Sequence, residues 1–281
     1  MTERSTAHYP SWLFIGTQRS GPGTGLSRGL FDAAAGTIRH LERAAVTDDP
    51  SFFVVSSEGR HLYTCNSGTP GGVSAYELDP HTGGLTLLNH HISVGRGPSQ
   101  LSLDRSERFV LAANYGGGYV EVIAIEPDGP LGARTAFIEH EGRSVHPERQ
   151  TRPYAHCITT SPSNRFALAA DLGTDRVLIY RFDAATGSLT PHSPDHTTVS
   201  AGSGPRHLAW HPNGRWIYLI EELSNEVTTF DWDEERGVME ARQTMPTLPA
   251  VFSGENTAAE VLVHPNGRFL YASNRGHDSI A

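Results

Sequence analysis

The sequence predicts an all-β fold of repeated four-stranded antiparallel blades, a β-propeller, and three observations carry that prediction. One phrase occurs five times, as SSEGRHLYTCN (Ser56 to Asn66), DRSERFVLAAN (Asp104 to Asn114), SPSNRFALAAD (Ser161 to Asp171), HPNGRWIYLIE (His211 to Glu221) and HPNGRFLYASN (His264 to Asn274). Its arginines, Arg60, Arg108, Arg165, Arg215 and Arg268, step by 48, 57, 50 and 53 residues, a period that in an all-β pattern indicates propeller blades. Helical periodicity is nowhere sustained, and Gly 29 with Pro 18 suits a chain that turns often.

The elements follow in order. Leu13 to Thr17 is a partial copy, with Thr17 standing 49 residues before Asn66, and supplies the end of a sixth second strand. In each full copy a first strand enters after a Gly-Pro or similar signal, as in Gly95 to Leu103 and Gly202 to Trp210, and turns at the phrase that ends in Arg. It returns as a second strand such as RWIYLIE. A third strand follows, for example Arg176 to Asp183, then a DxxTGxL turn at Asp79 to Leu85 and Asp183 to Leu189, and a less regular fourth strand closes the blade. The chain stops at Ala281 inside what the pattern makes a third strand. The expectation is therefore one partial propeller domain over residues 1–281, C-terminally truncated by on the order of one and a half blades, with an open edge.

Composition narrows the function. All 22 basic residues are Arg, so chemistry that needs Lys, such as a Schiff base or a P-loop, is excluded. A formal net charge of -9 argues against nucleic acid as a partner. The N-terminus has no basic region followed by an apolar core, and no run of 18 apolar residues occurs, so a soluble, cytoplasmic protein without a membrane partner is expected. Cys65 and Cys157 do not make a disulfide framework. Cys157 follows His156, and neighbours on a regular strand face opposite ways, which argues against a Cys-His dyad. No His, Cys and carboxylate cluster has metal spacing, and neither a metal nor another cofactor is expected.

The repeat also assigns coordinates. Nine residues before each turn Arg stand Ser51, Ser99, His156, Arg206 and Ala259; seven after it stand Ser67, Tyr115, Leu172, Glu222 and Arg275. First and second strands are antiparallel, so these two positions share one end of the blade. His156, Arg206, Glu222 and Arg275 are thus expected to converge on one mouth as catalytic groups, a His and a carboxylate to exchange protons and arginines to hold an anion. A salt-bridge network between blades is the structural alternative. Gln100, His207 and Glu260 occupy the next position and face the other way on a regular strand, as packing or support. Asn66, Asn114, Asp171, Glu221 and Asn274 recur in every copy, which fits loop capping. Asn114, Tyr115, His207 and Asn274 border the mouth in sequence and are the candidate substrate contacts. NYGGGYV (Asn114 to Val120) is followed by a strand and not a helix, so the dinucleotide-binding mechanism is absent. The 57-residue step holds His140 to His156, a segment that is either a functional loop or a surface insertion.

NYGGGYVEVIAIEPDGPLG, HPERQTRPYAH, DLGTDRVLIYRFDAATGSL, GPRHLAWHPNGRWIYLIEELSNEV and FSGENTAAEVLVHPNGRFLYASNRGHDSIA together resemble the seven-bladed propeller lactonase family. That family includes the propeller type of 6-phosphogluconolactonase and the fungal 3-carboxy-cis,cis-muconate lactonizing enzyme. The resemblance runs from about Leu13 to the last residue and implies a metal-independent site whose His, Arg, Glu and Arg correspond to His156, Arg206, Glu222 and Arg275. It implies hydrolysis of 6-phospho-glucono-1,5-lactone in carbohydrate and glucose metabolism, with a muconate-type lactonizing reaction as the enzymatic alternative and a non-catalytic binding platform as the other. The chain departs from the family in Tyr154, where PHAH is usual, in Ser67, where an acidic residue is common, and in lacking the last blade.

Overall fold

The computed structural model describes residues 11–17 and 25–281, which fall into two compact units. Unit 1 takes the described residues up to Gly97 together with Glu126–Leu131; unit 2 takes Pro98–Ile125 and Gly132–Ala281. All regular structure among the described residues is β-strand, and no helix there is long and apolar enough to cross a membrane.

Unit 1 holds two antiparallel sheets. In the first, β1 (Trp12–Gly16), β2 (Leu26–Asp32) and β3 (Thr37–Ala45) pair in chain order. The partial copy at Leu13 to Thr17 is thus a strand that leads a three-stranded sheet. The second contains β4 (Phe53–Val55), β5 (His61–Asn66), β6 (Gly72–Leu78) and β7 (Leu85–Ile92), again in chain order. Leu26, Leu62 and Tyr76 form a buried cluster in this unit.

Unit 2 contains four successive sheets. Three are four-stranded: β8 (Gln100–Leu103), β9 (Phe109–Asn114), β10 (Tyr119–Ile125) and β11 (Leu131–Glu139); β12 (Ala155–Thr160), β13 (Phe166–Asp171), β14 (Arg176–Asp183) and β15 (Ser188–Thr198); β16 (Pro205–Trp210), β17 (Trp216–Glu221), β18 (Glu226–Asp233) and β19 (Val238–Pro246). The last has three strands, β20 (Thr257–Val263), β21 (Leu270–Arg275) and the two-residue β22 (Ser279–Ile280). The first strands β8, β12, β16 and β20 are spatial neighbours in series. Apolar side chains fill the space between consecutive sheets: Leu111, Ile158 and Tyr180 in one layer, Leu168, Leu219 and Phe230 in the next, Ile220 and Val261 in the third. Each fully buried Leu, Ile or Phe contributes about 1.5–3 kcal/mol, so the stacking of sheets is what fixes their order.

The period has a backbone cause. In all five copies the residue before the turn Arg adopts a left-handed conformation: Gly59 (φ 67°), Glu107 (54°), Asn164 (63°), Gly214 (69°) and Gly267 (71°). The same two backbone hydrogen bonds close each turn; in the third copy Ser161 N–H donates to Phe166 O at 2.8 Å and Asn164 N–H to Ser161 O at 2.9 Å. A positive φ is strain-free for Gly and tolerable for Asn, which explains the NG and SN signals. Glu107 adopts it without that help. The DxxTGxL turns use the same device at Gly83 and Gly187.

Candidate active site

Both pairs of predicted positions meet at one end of the sheets of unit 2. His156 is the second residue of β12, Arg206 the second of β16, Glu222 lies just beyond β17, and Arg275 ends β21. Regular pairing is broken at the first two. The register jumps from Ala155↔Asp171 to Cys157↔Ala170, and from Pro205↔Glu221 to His207↔Ile220, so His156 and Arg206 are the extra residues of β-bulges. A bulge re-aims a side chain that a regular strand would send elsewhere. β20 shifts at the matching place, between Ala258 and Val261.

The centre of the cluster is Glu222. Its backbone is fixed from two sides, with Glu222 N–H donating to Gly204 O at 2.7 Å and Glu222 O accepting from Ala258 N–H at 3.2 Å. Gly204 sits at φ 68°, and a Cβ there would come within 2.7 Å of Leu223, so that close approach requires glycine. Three guanidinium groups surround the side chain. Arg206 Nε and Arg275 Nη2 each lie 3.0 Å from Oε2, and Arg149 Nη2 lies 2.5 Å from Oε1. Arg206 is further held by Ala259 O at 2.6 Å. His156 Nε2 stands 3.9 Å from Oε2.

Charge states follow from these surroundings. Burial opposes ionisation of Glu222, but the Arg149 hydrogen bond and the charges of Arg275 and Arg206 outweigh it and hold the carboxyl below the ordinary glutamate value. Burial, then Arg206 and His207, push His156 well below the ordinary imidazole value, so its ring is neutral. Burial and Arg206 likewise lower His207, against the pull of Glu260. The site therefore presents one ionised carboxylate and a neutral imidazole among three cations.

A supporting layer lies behind. His207 is buried, its ring 5.0 Å from that of His156, and its Nδ1 is 2.9 Å from Glu260 Oε2. Gln100 Oε1 accepts from Ile158 N–H at 2.9 Å, which ties β8 to the strand that bears His156. His207, one of the candidate substrate contacts, thus packs against His156 and pairs with Glu260. Tyr115 does border the site, with its ring 5.3 Å from His156 and 4.7 Å from Tyr154. Asn114 and Asn274 are accounted for as loop caps: Asn114 Oδ1 accepts from Gly117 N–H, and Asn274 Oδ1 accepts from Thr247 Oγ1 and Asn256 Nδ2. Ser99 Oγ donates to His156 O at 3.3 Å. Cys157 is buried in the sheet-stacking core and its thiol is pushed up to about 12 by burial, so it is inert. In unit 1, Ser51 and Ser67 occupy the equivalent positions and pair with one another, Oγ to Oγ, at 2.5 Å.

Repeat coordinates missed Arg149, because it lies in the irregular segment between copies. The signal was the 57-residue step itself, whose extra length carries HPERQTRPYAH. Two buried acids hold this segment. Asp171 accepts from Tyr154 N–H at 2.9 Å and pairs with His140 Nδ1 at 2.6 Å. Asp175 accepts from Ser144 Oγ, Gln150 Nε2, Gly202 N–H and Gly204 N–H at 2.5, 2.7, 2.6 and 2.9 Å. One carboxylate thereby fastens the segment bearing Arg149 to the turn that leads into Arg206.

Comparison with known proteins identifies the family. Residues 12–281 match the family described as lactonase, seven-bladed β-propeller. The chain is 34% identical to a 6-phosphogluconolactonase of Bacillus subtilis over 269 residues, covering 95% of this chain and 76% of that protein. It is 34% identical to a 6-phosphogluconolactonase of Pectobacterium carotovorum, covering 86% and 68%. A periplasmic gluconolactonase of Pseudomonas aeruginosa superposes with a TM-score of 0.89 at 31% identity, covering 96% of this chain and 77% of that one.

Proposed function

The chain belongs to the lactonase family of seven-bladed β-propellers and is a lactone hydrolase, and on that footing we propose that its substrate is 6-phospho-glucono-1,5-lactone, opened to 6-phosphogluconate. One observation carries this reading: an ionised carboxylate and a neutral imidazole share a site with three guanidinium groups. A water placed about 2.8 Å from both His156 Nε2 and Glu222 Oε2 subtends an angle of roughly 90° between them, an acceptable geometry for one molecule bound to two partners. His156 orients that water and Glu222 takes its proton as the oxygen attacks the lactone carbonyl. Guanidinium N–H groups of Arg206 and Arg275 stabilise the oxyanion. When the bond from the carbonyl carbon to the ring oxygen breaks, Glu222 returns the proton to that oxygen. The product is a hydroxy acid, which ionises to solvent.

The arginines also suit a phosphorylated sugar, since a guanidinium fork binds phosphate bidentately. A phosphate dianion does not cross a bilayer unaided, which supports placing the step in cytoplasmic glucose metabolism. The test is background-corrected hydrolysis of 6-phospho-glucono-1,5-lactone, glucono-1,5-lactone and a muconolactone. The expected order of kcat/KM places the phosphorylated lactone first; a preference for the muconolactone, or turnover of none of them, overturns the proposal.

A further inference from the structure

The three arginines around Glu222 are not equivalent. Arg206 has a side chain only 14% exposed and a second bond to Ala259 O, so it is fixed in place. Arg149 and Arg275 are 37% and 50% exposed. Besides Glu222, among the described residues Arg149 has only a long contact to Tyr115 Oη at 3.5 Å, and Arg275 one to Ala258 O at 3.4 Å. Arg149 is also the one of the three carried outside the blade strands, on the segment between β11 and β12.

Charge bookkeeping points the same way. Three guanidinium cations face one carboxylate at the centre; His156 is neutral, and Glu260, whose partner His207 is held neutral, adds a second negative charge near Arg206. The cluster keeps a positive surplus of one charge. That surplus favours an anion such as a phosphate group, which brings about −1.5 to −2 charges at neutral pH. A single carboxylate cannot use every N–H of three guanidinium forks, so donors are left over for a second anion.

We propose that Arg149 is the specificity residue for the anionic group of the substrate, and that it engages this group by giving up its bond to Glu222. The inference rests on the lactone-hydrolase reading and adds to it a coupling between substrate charge and catalysis. While Arg149 pairs with Glu222, the carboxylate is a weakened base. Once a substrate phosphate takes the guanidinium, Glu222 loses one of its three cations and accepts the proton of the attacking water more readily. A neutral lactone leaves the pair intact. Discrimination in favour of phosphorylated substrates then arises in kcat as well as in KM.

The experiment compares the wild-type protein with Arg149→Gln and Arg149→Lys on 6-phospho-glucono-1,5-lactone and glucono-1,5-lactone. In Arg149→Gln the ratio of kcat/KM between the phosphorylated and the neutral lactone is expected to fall by about tenfold or more. The acid limb of its kcat/KM profile moves to higher pH, because Glu222 has lost a stabilising partner. Arg149→Lys, which keeps the charge but not the fork, lies between. An unchanged ratio, or an equal loss on both lactones, overturns the proposal. If the wild-type protein turns over neither lactone, it is the lactone-hydrolase reading that fails. Calorimetric binding of inorganic phosphate then still decides on Arg149: about tenfold weaker binding in Arg149→Gln supports its role as the anion receiver, and equal binding contradicts it.

Discussion

Glu222 and His156 lie close together, yet they do not form an ion pair of opposite charges. The carboxyl is held ionised by Arg149, Arg275 and Arg206 against burial, and the imidazole is held neutral by burial and Arg206. Their pH signature follows. Because His156 does not titrate near its ordinary value of 6.5, background-corrected kcat/KM for the uncharged glucono-1,5-lactone should be flat between about pH 5.5 and 8, with loss only on the acid side as Glu222 takes a proton. An inflection near that ordinary value would mean that the imidazole is charged in the resting site. Stability has a related dependence. His156 and His207 stay neutral in the folded chain while an unfolded chain binds protons below 6.5, so stability falls as pH drops through that value. Glu222 and Glu260, with depressed values, contribute stability above 4.5 that is lost as pH falls through their folded values. At this scale the convergence of His156, Arg206, Glu222 and Arg275 was legible in the sequence because a residue that breaks a repeat is visible by contrast. Glu222 and Arg275 replace Ser67 and Leu172 at an equivalent position. Arg149 was not legible, since no other copy has a counterpart against which to see it.

Strands and their connections supply what residue types alone did not. The alternation rule puts His156 and Cys157 on opposite faces, and it is right about Cys157, but it contains no sign of the bulge that aims His156 and Arg206 at Glu222. One extra residue leaves no compositional trace. His207, also a candidate contact by position, lies in the supporting layer that its alternation on the strand predicted. The connection between β11 and β12 shows how a loop gains precision: Asp175 collects four hydrogen bonds from two segments, and both lead to arginines of the site. Removing that carboxylate leaves four donors without their acceptor. Asp175→Ala is therefore expected to destabilise unit 2 by about 2–5 kcal/mol. Below its melting temperature it should still lower kcat/KM for a phosphorylated lactone by about tenfold or more, since small misplacements of a positioned group are costly. Thermal unfolding and steady-state kinetics check the two halves. Full activity in a measurably destabilised variant would show that the clamp serves the fold alone.

For the molecule as a whole, the period of the turn arginines was sufficient to predict four-stranded antiparallel sheets, and the left-handed residue before each Arg shows why the period exists. The sheets at either end of the described chain have three strands, β1–β3 and β20–β22, and the chain covers 76% of its Bacillus subtilis relative. The repeat also marks where the blades differ from one another, at the positions where His156, Arg206, Glu222 and Arg275 come together. The central claim is that Glu222 performs the chemistry. Its most direct test is the hydrolysis of 6-phospho-glucono-1,5-lactone, corrected for the spontaneous reaction, by wild type and Glu222→Gln. Glutamine keeps the shape and removes the proton-accepting charge, so kcat should fall by about a hundredfold or more while KM changes little. Turnover by Glu222→Gln within a few-fold of wild type would contradict the account.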